Sequence, residues 1–162
     1  MTPEENMILP TPKLSLREVV PGLSLLSSKN KNVNVWDFRQ RENLVIFFFH
    51  GVECSSCKAY LEELAKINSE VLENESEILA ISFDKPETLK NLEEKIPFPL
   101  LFGINKDMIL EYTYIDATRG SPFPSIFITD RYGVLRYQKI VREANDLPST
   151  KDILDRLYGI EI

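Results

Sequence analysis

The run Leu44-Val45-Ile46-Phe47-Phe48-Phe49 is the longest apolar stretch in the chain, and it does not alternate. A strand with one wet face alternates apolar and polar residues, so an unbroken apolar run needs cover on both faces. It is also far short of the roughly 20 residues that a membrane-spanning helix requires. The run therefore predicts a strand in the middle of a sheet that has helices above and below. The next residues agree: Cys54-Ser55-Ser56-Cys57, then apolar positions at Tyr60, Leu61, Leu64, Ile67, Val71 and Leu72. That spacing describes one face of an amphipathic helix.

The rest of the chain extends the pattern. Pro3, Pro10 and Pro12 mark residues 1–20 as an N-terminal arm, and residues 21–162 read as one domain. Leu23 to Leu26 and Val33 to Phe38 read as a hairpin around a polar turn. Ile78 to Phe83 is a second buried-type strand, and Pro86 opens a helix with a stripe of Leu89, Leu92 and Ile96. Leu100 to Phe102 suggests a short strand and Asn105 to Tyr112 a short helix. Ser125 to Thr129 and Val134 to Val141 form a late hairpin, and Ser149-Thr150-Lys151-Asp152 starts the last helix. Strand–helix–strand units imply parallel strands at the centre, and the hairpins add antiparallel ones. The fold class is α/β, with a mixed sheet covered on both faces and an N-terminal β-hairpin extension.

Composition narrows the function. The chain of 162 residues carries 19 Lys and Arg against 25 Asp and Glu, a formal charge of -6. An acidic chain with no basic run is a poor partner for nucleic-acid phosphates. Neither a membrane span nor a signal-peptide pattern is read, so a cytoplasmic location is expected. In that compartment a close cysteine pair is more often catalytic, redox-sensing or metal-binding than a structural staple. Cys54 and Cys57 are the chain's 2 cysteines. At a helix N-terminus, backbone N–H groups and the helix dipole favour a thiolate. Cys54 is the expected nucleophile, and Cys57, about one turn on, is its resolving partner. Zinc normally takes four ligands, and only His50 adds a local donor, so neither metal nor cofactor is expected.

Two segments carry a family resemblance. Phe49-His50-Gly51-Val52-Glu53-Cys54-Ser55-Ser56-Cys57-Lys58 resembles the active-site segment of thioredoxin-like proteins, in which an aromatic-rich strand leads into W-C-x-x-C-K/R. Phe123-Pro124-Ser125-Ile126-Phe127-Ile128-Thr129-Asp130-Arg131-Tyr132-Gly133 resembles their later P-T-x-F-[IL]-I-D-x-x-G segment. The insertion between the two, with the N-terminal hairpin, is similar to the AhpC/TSA and TlpA/ResA branch. The resemblance implies a thioredoxin-like fold and a redox-active centre at Cys54 and Cys57. It also implies that Pro124, as a cis-proline, and Phe123 hold substrate. The implied partners are a protein or small-molecule disulfide and a thiol electron donor.

The departures from the family pattern matter. Glu53 stands where the family has Trp, and an acid beside a thiolate is expected to raise its pKa. Phe48 stands where thioredoxin has a buried Asp. Against the P-x-x-x-T-x-x-C motif of peroxiredoxins, Cys57 takes the peroxidatic place, His50 that of Pro and Cys54 that of Thr. The later Arg falls at Pro124. With that Thr and Arg missing, the reading is a thiol-disulfide oxidoreductase. A peroxiredoxin-like thiol peroxidase is the alternative, and a non-enzymatic redox-sensing or zinc-binding module comes third. No role is assigned to His50.

Overall fold

The computed structural model describes residues 10–160, so the first nine residues of the arm and the last two of the domain lie outside the described residues. Its strands are β1 (Ser24–Ser27), β2 (Asn32–Asn34), β3 (Asn43–Phe48), β4 (Ser76–Ser82), β5 (Leu100–Gly103), β6 (Ile115–Asp116), β7 (Ser121–Pro122), β8 (Ser125–Thr129) and β9 (Leu135–Ile140). The helices are α1 (Ser55–Lys66), α2 (Asn68–Glu73), α3 (Pro86–Glu93), α4 (Lys106–Tyr112) and α5 (Thr150–Ile160). One mixed sheet has the strand order β2-β1-β5-β4-β3-β8-β9. Strands β3, β4 and β5 run parallel, and β1, β2, β8 and β9 are attached antiparallel. A separate two-strand ladder joins β6 to β7. This is the thioredoxin-like architecture that the sequence implied. No helix among the described residues is long and apolar enough to cross a membrane.

All of β3 is buried, and its residues divide between two cores. Val45, Phe47 and the adjoining Phe49 pack with Cys57, Leu61 and Leu64 of α1 and with Ile153 and Leu157 of α5. Leu44, Ile46 and Phe48 pack on the opposite face with Leu25, Ile109 and Tyr112. Strand period two sends alternate residues to alternate layers, so a run without alternation is what two cores demand. Burying each large apolar side chain contributes roughly 1.5–3 kcal/mol. The strand whose end presents the cysteines is therefore firmly held from both faces.

Two local expectations fail, and one element was not foreseen. The second hairpin strand ends at Asn34, and Val35–Phe38 is a 3-10 turn. The Asn34 side chain accepts the Trp36 N–H at 3.0 Å while Asp37 accepts the Asn34 N–H at 2.9 Å. This reciprocal cap outweighs the β propensity of Val35 and Trp36. The long helix breaks at Ile67, which has φ -99° and ψ 3°, and Leu72 is 52% exposed rather than part of the buried stripe. The β6–β7 ladder has no counterpart in the sequence pattern.

The short helix expected from Asn105 begins one residue later, at Lys106, with Asn105 as its N-cap. The Asn105 side-chain oxygen accepts the N–H groups of Asp107 and Met108 at 2.9 and 3.3 Å. Asn105→Ala is expected to lower stability by about 1 kcal/mol. The urea midpoint should fall with no change in slope.

Candidate active site

The chain turns sharply between β3 and α1. Gly51 has φ +153°, and a Cβ there would lie 3.2 and 3.3 Å from the Asp84 carboxylate oxygens. Asp84 Oδ2 accepts the Val52 N–H at 3.0 Å and the Ser82 hydroxyl at 2.7 Å. A carboxylate just beyond the end of β4 thus anchors the turn that delivers the cysteines. Cys54 is the N-cap of α1: its Sγ accepts the Cys57 N–H at 3.3 Å, and its carbonyl accepts the Lys58 N–H at 3.0 Å. The Ser56 hydroxyl lies 3.3 Å from the same sulfur.

The two thiols are driven apart in acidity. Burial works to raise Cys54 and is the largest single influence. Hydrogen bonds from Cys57 and Ser56, with the Arg119 charge, outweigh it and leave Cys54 below its ordinary value. Cys57 is fully buried. Burial first, then its hydrogen bond to Cys54 and the negative charge there, push it up to about 12. Glu53 was expected to raise Cys54. Its side chain is exposed, where water screens its charge, and it is not among the groups that move Cys54.

Arg119 arrives from the tip of the β6–β7 ladder. Asp116 builds that tip: its side chain accepts the Thr118 N–H at 2.9 Å, and its carbonyl accepts the Gly120 N–H at 2.7 Å. Gly120 has φ +66° there, a left-handed conformation that suits glycine. Arg119 Nη1 lies 2.7 Å from His50 Nδ1. A guanidinium only donates, so Nδ1 accepts and a neutral ring carries its proton on Nε2. That Nε2 is buried without a partner. Burial, then the Arg119 charge, lowers the His50 pKa against the smaller opposing pull of Asp116 and Glu143. Cys54 Sγ stands 4.0 Å from Nδ1, whose lone pair Arg119 already occupies. His50 is thus a holder of Arg119 rather than a base for Cys54.

A cleft of about 400 Å³ collects these groups. His50, Gly51, Glu53, Cys54, Asp84, Arg119 and Ser121 line it. The structure brings Cys54 and Cys57 together, as expected. Phe123 and Pro124 do not line this cleft. Phe123 packs on the Tyr114 ring, with centroids 6.0 Å apart, and the Arg142 guanidinium lies over the Phe123 ring at 5.4 Å. Pro124 is buried at the head of β8. Its peptide bond is trans, since no cis bond occurs among the described residues. In this form the Phe123 N–H reaches the Tyr114 carbonyl and the Pro124 carbonyl takes the Val141 N–H, both at 2.9 Å. Trans is also favoured intrinsically by about 0.5–1 kcal/mol. Sequence reasoning missed Arg119 and Asp84. The signal for Arg119 was the Asp116-Ala117-Thr118-Arg119-Gly120 turn chemistry, which places a cation at a hairpin tip.

The split acidities predict a selective alkylation. Cys54 has a depressed value, so its thiolate persists to lower pH. Its iodoacetamide rate should rise with pH along a titration centred below 9.0. Cys57 has a raised value, so its thiol persists as pH climbs toward about 12, and it should stay unmodified while the protein is folded. Peptide mapping after limited reaction distinguishes the two cysteines.

Strand topology, the Cys54 thiol capping the helix and the buried partner thiol together define a thioredoxin-like protein with a dithiol at a helix N-terminus. The AhpC/TSA family model matches residues 16–138, and the chain belongs to the AhpC/TSA family. It is 26% identical over 138 residues to "Putative peroxiredoxin ycf42" of Trieres chinensis, a match that covers 80% of this chain and 65% of that protein. Among solved structures it is similar to the reduced 2-Cys peroxiredoxin of Plasmodium vivax, at TM-score 0.78 and 17% identity, covering 91% of this chain and 82% of that one. It is also similar to the peroxidoxin BcpB of Mycobacterium tuberculosis, at TM-score 0.79 and 13% identity, covering 91% and 98%. At these identities the two structures establish the fold.

Proposed function

We propose that the chain is a thiol peroxidase in which Cys54 is oxidised by a hydroperoxide and Cys57 resolves the product. This reverses the ranking reached from sequence. The carrying observation is that Arg119 shares the cleft of the capped Cys54 sulfur. The cation whose absence at Pro124 argued against peroxide is supplied five positions earlier. Membership of the AhpC/TSA family and the name of the Trieres chinensis relative also support peroxide as the oxidant.

The Cys54 thiolate attacks the terminal peroxide oxygen. An S–O bond forms, the O–O bond breaks, and the leaving alkoxide or hydroxide takes a proton from water. Arg119 faces the negative charge that develops on that oxygen, in a cleft where fixed donors act more strongly than in water. The Cys57 thiol then attacks the sulfenic sulfur. An S–S bond forms, the S–O bond breaks, and the departing hydroxide leaves with the thiol proton as water. The sulfurs lie within 4.8 Å of each other and must close to about 2.05 Å. A thiol electron donor returns the disulfide to two thiols.

A second reading keeps the same pair as a disulfide reductase. It is favoured by a second groove of about 420 Å³, bordered by Ser56 of the Cys54-x-x-Cys57 segment and by Tyr60, Leu147 and Pro148. One measurement separates them. Reduced protein mixed with one equivalent of hydrogen peroxide should lose both thiols to one intramolecular disulfide. The rate should exceed that of a free thiol by about 100-fold or more. A free-thiol rate together with rapid reduction of insulin disulfides would favour the reductase.

A further inference from the structure

Three donors suited to a soft or borderline cation converge where α1 begins. His50, Cys54 and Cys57 each offer one ligand atom, and these atoms all lie within 4.8 Å of one another. Zinc binds sulfur at about 2.3 Å and imidazole nitrogen at about 2.0–2.1 Å, so tetrahedral ligand atoms stand about 3.5–3.8 Å apart. The 4.0 Å between Cys54 Sγ and His50 Nδ1 is a fraction of an ångström wider. The ring is also in the required form. His50 is buried, with 8% of its surface exposed, and its Nε2 has no partner. With Nδ1 accepting from Arg119, the neutral ring holds its proton on Nε2. A metal on Nδ1 needs that same tautomer.

Arg119 occupies the lone pair that a metal would use. Its side chain is 45% exposed, and Glu143 Oε1 lies 3.9 Å from its Nη2. The guanidinium therefore has an anionic anchor besides the neutral His50 ring, and room to leave. An arginine and a metal ion would compete for one nitrogen.

We propose that reduced Cys54 and Cys57, with His50, form a three-ligand site for a thiophilic divalent cation of the zinc class, and that Arg119 is its built-in competitor. A fourth ligand would be supplied by water. Binding forms two metal–sulfur bonds and one metal–nitrogen bond, and the thiol protons still present are released to solvent. The oxidised pair has no thiolate to offer, so the site exists only in the reduced protein. It does not rest on the peroxidase reading, and its test uses no peroxide.

The test is an anaerobic titration of the reduced full chain with Co²⁺, followed by displacement with Zn²⁺. Thiolate-to-cobalt charge transfer and intense tetrahedral d–d bands should grow to one equivalent and vanish with zinc. His50→Gln should weaken binding by about 10–100-fold and shift the d–d bands, whereas Arg119→Gln should tighten it by about 10-fold. Cys57→Ser should remove about half of the charge-transfer intensity. Near-ultraviolet circular dichroism checks that each variant is folded. Arg119→Gln, at the exposed rim, gives a reading even if His50→Gln fails to fold. Unchanged affinity in Arg119→Gln would overturn the competition. A spectrum and affinity unchanged in folded His50→Gln would overturn the three-ligand site, leaving two thiols alone.

Discussion

Cys54→Ser is expected to lower peroxide turnover by at least about a thousandfold, because the variant has no nucleophile. Cys57→Ser should behave differently. It should consume one equivalent of peroxide at close to the parent rate, hold a sulfenic acid on Cys54 that dimedone traps, and then stop. The asymmetry comes from burial. Cys57 is fully enclosed by the core of α1 and β3, and its thiol is held protonated to about pH 12. Cys54 caps the helix, faces the cleft and has its acidity increased by Cys57, Ser56 and Arg119. The motif alignment, which places Cys57 in the peroxidatic position, predicts the opposite order. Intact-mass measurement after one equivalent of peroxide decides between them. A sulfenic acid on Cys57 in the Cys54→Ser variant, formed at the parent rate, would show that the buried thiol attacks first.

The sheet was legible because its signals are local and strong. The two-layer burial of β3 is written in consecutive apolar residues, and the start of α1 in the cysteine pair and the apolar stripe beyond it. The Pro86 start and the short helix near Asn105 were equally readable. The failures come from contacts between residues distant in sequence. Arg119 meets His50 across 69 positions, and Asp84 meets Val52 across 32. No periodicity encodes either pair. The absence of an arginine at Pro124 looked decisive because motif matching ties a charge to a position in sequence. The fold ties it to a position in space, which a two-residue ladder and an Asp116 turn can supply from elsewhere. Glu53 illustrates the converse. Adjacent to Cys54 in sequence, it is exposed to solvent, while the distant Arg119 charge acts on the sulfur.

Arg119→Ala is expected to cut kcat/KM for peroxide by about 10²–10³-fold, the usual cost of removing one preorganised donor from a developing negative charge. Its effect on Cys54 alkylation by neutral iodoacetamide should be much smaller. Alkylation reads only the thiolate population, to which Arg119 is the last of the influences that lower Cys54, after Cys57 and Ser56. The difference between the two losses isolates transition-state stabilisation from thiol acidity. Global stability should fall by about 1–3 kcal/mol, mainly because the buried His50 Nδ1 loses its donor. Arg119 is about half exposed, and its ion pair with Glu143 is long and wet at 3.9 Å, a kind of contact worth about 0–1 kcal/mol. Arg119→Lys should recover only part of the peroxide rate, because an ammonium lacks the planar fork that bonds His50 while presenting a second N–H to the cleft. Parallel loss of peroxide and iodoacetamide reactivity in Arg119→Ala would reduce the arginine to a modest tuner of Cys54. It would also remove the main support for peroxide over disulfide as the substrate.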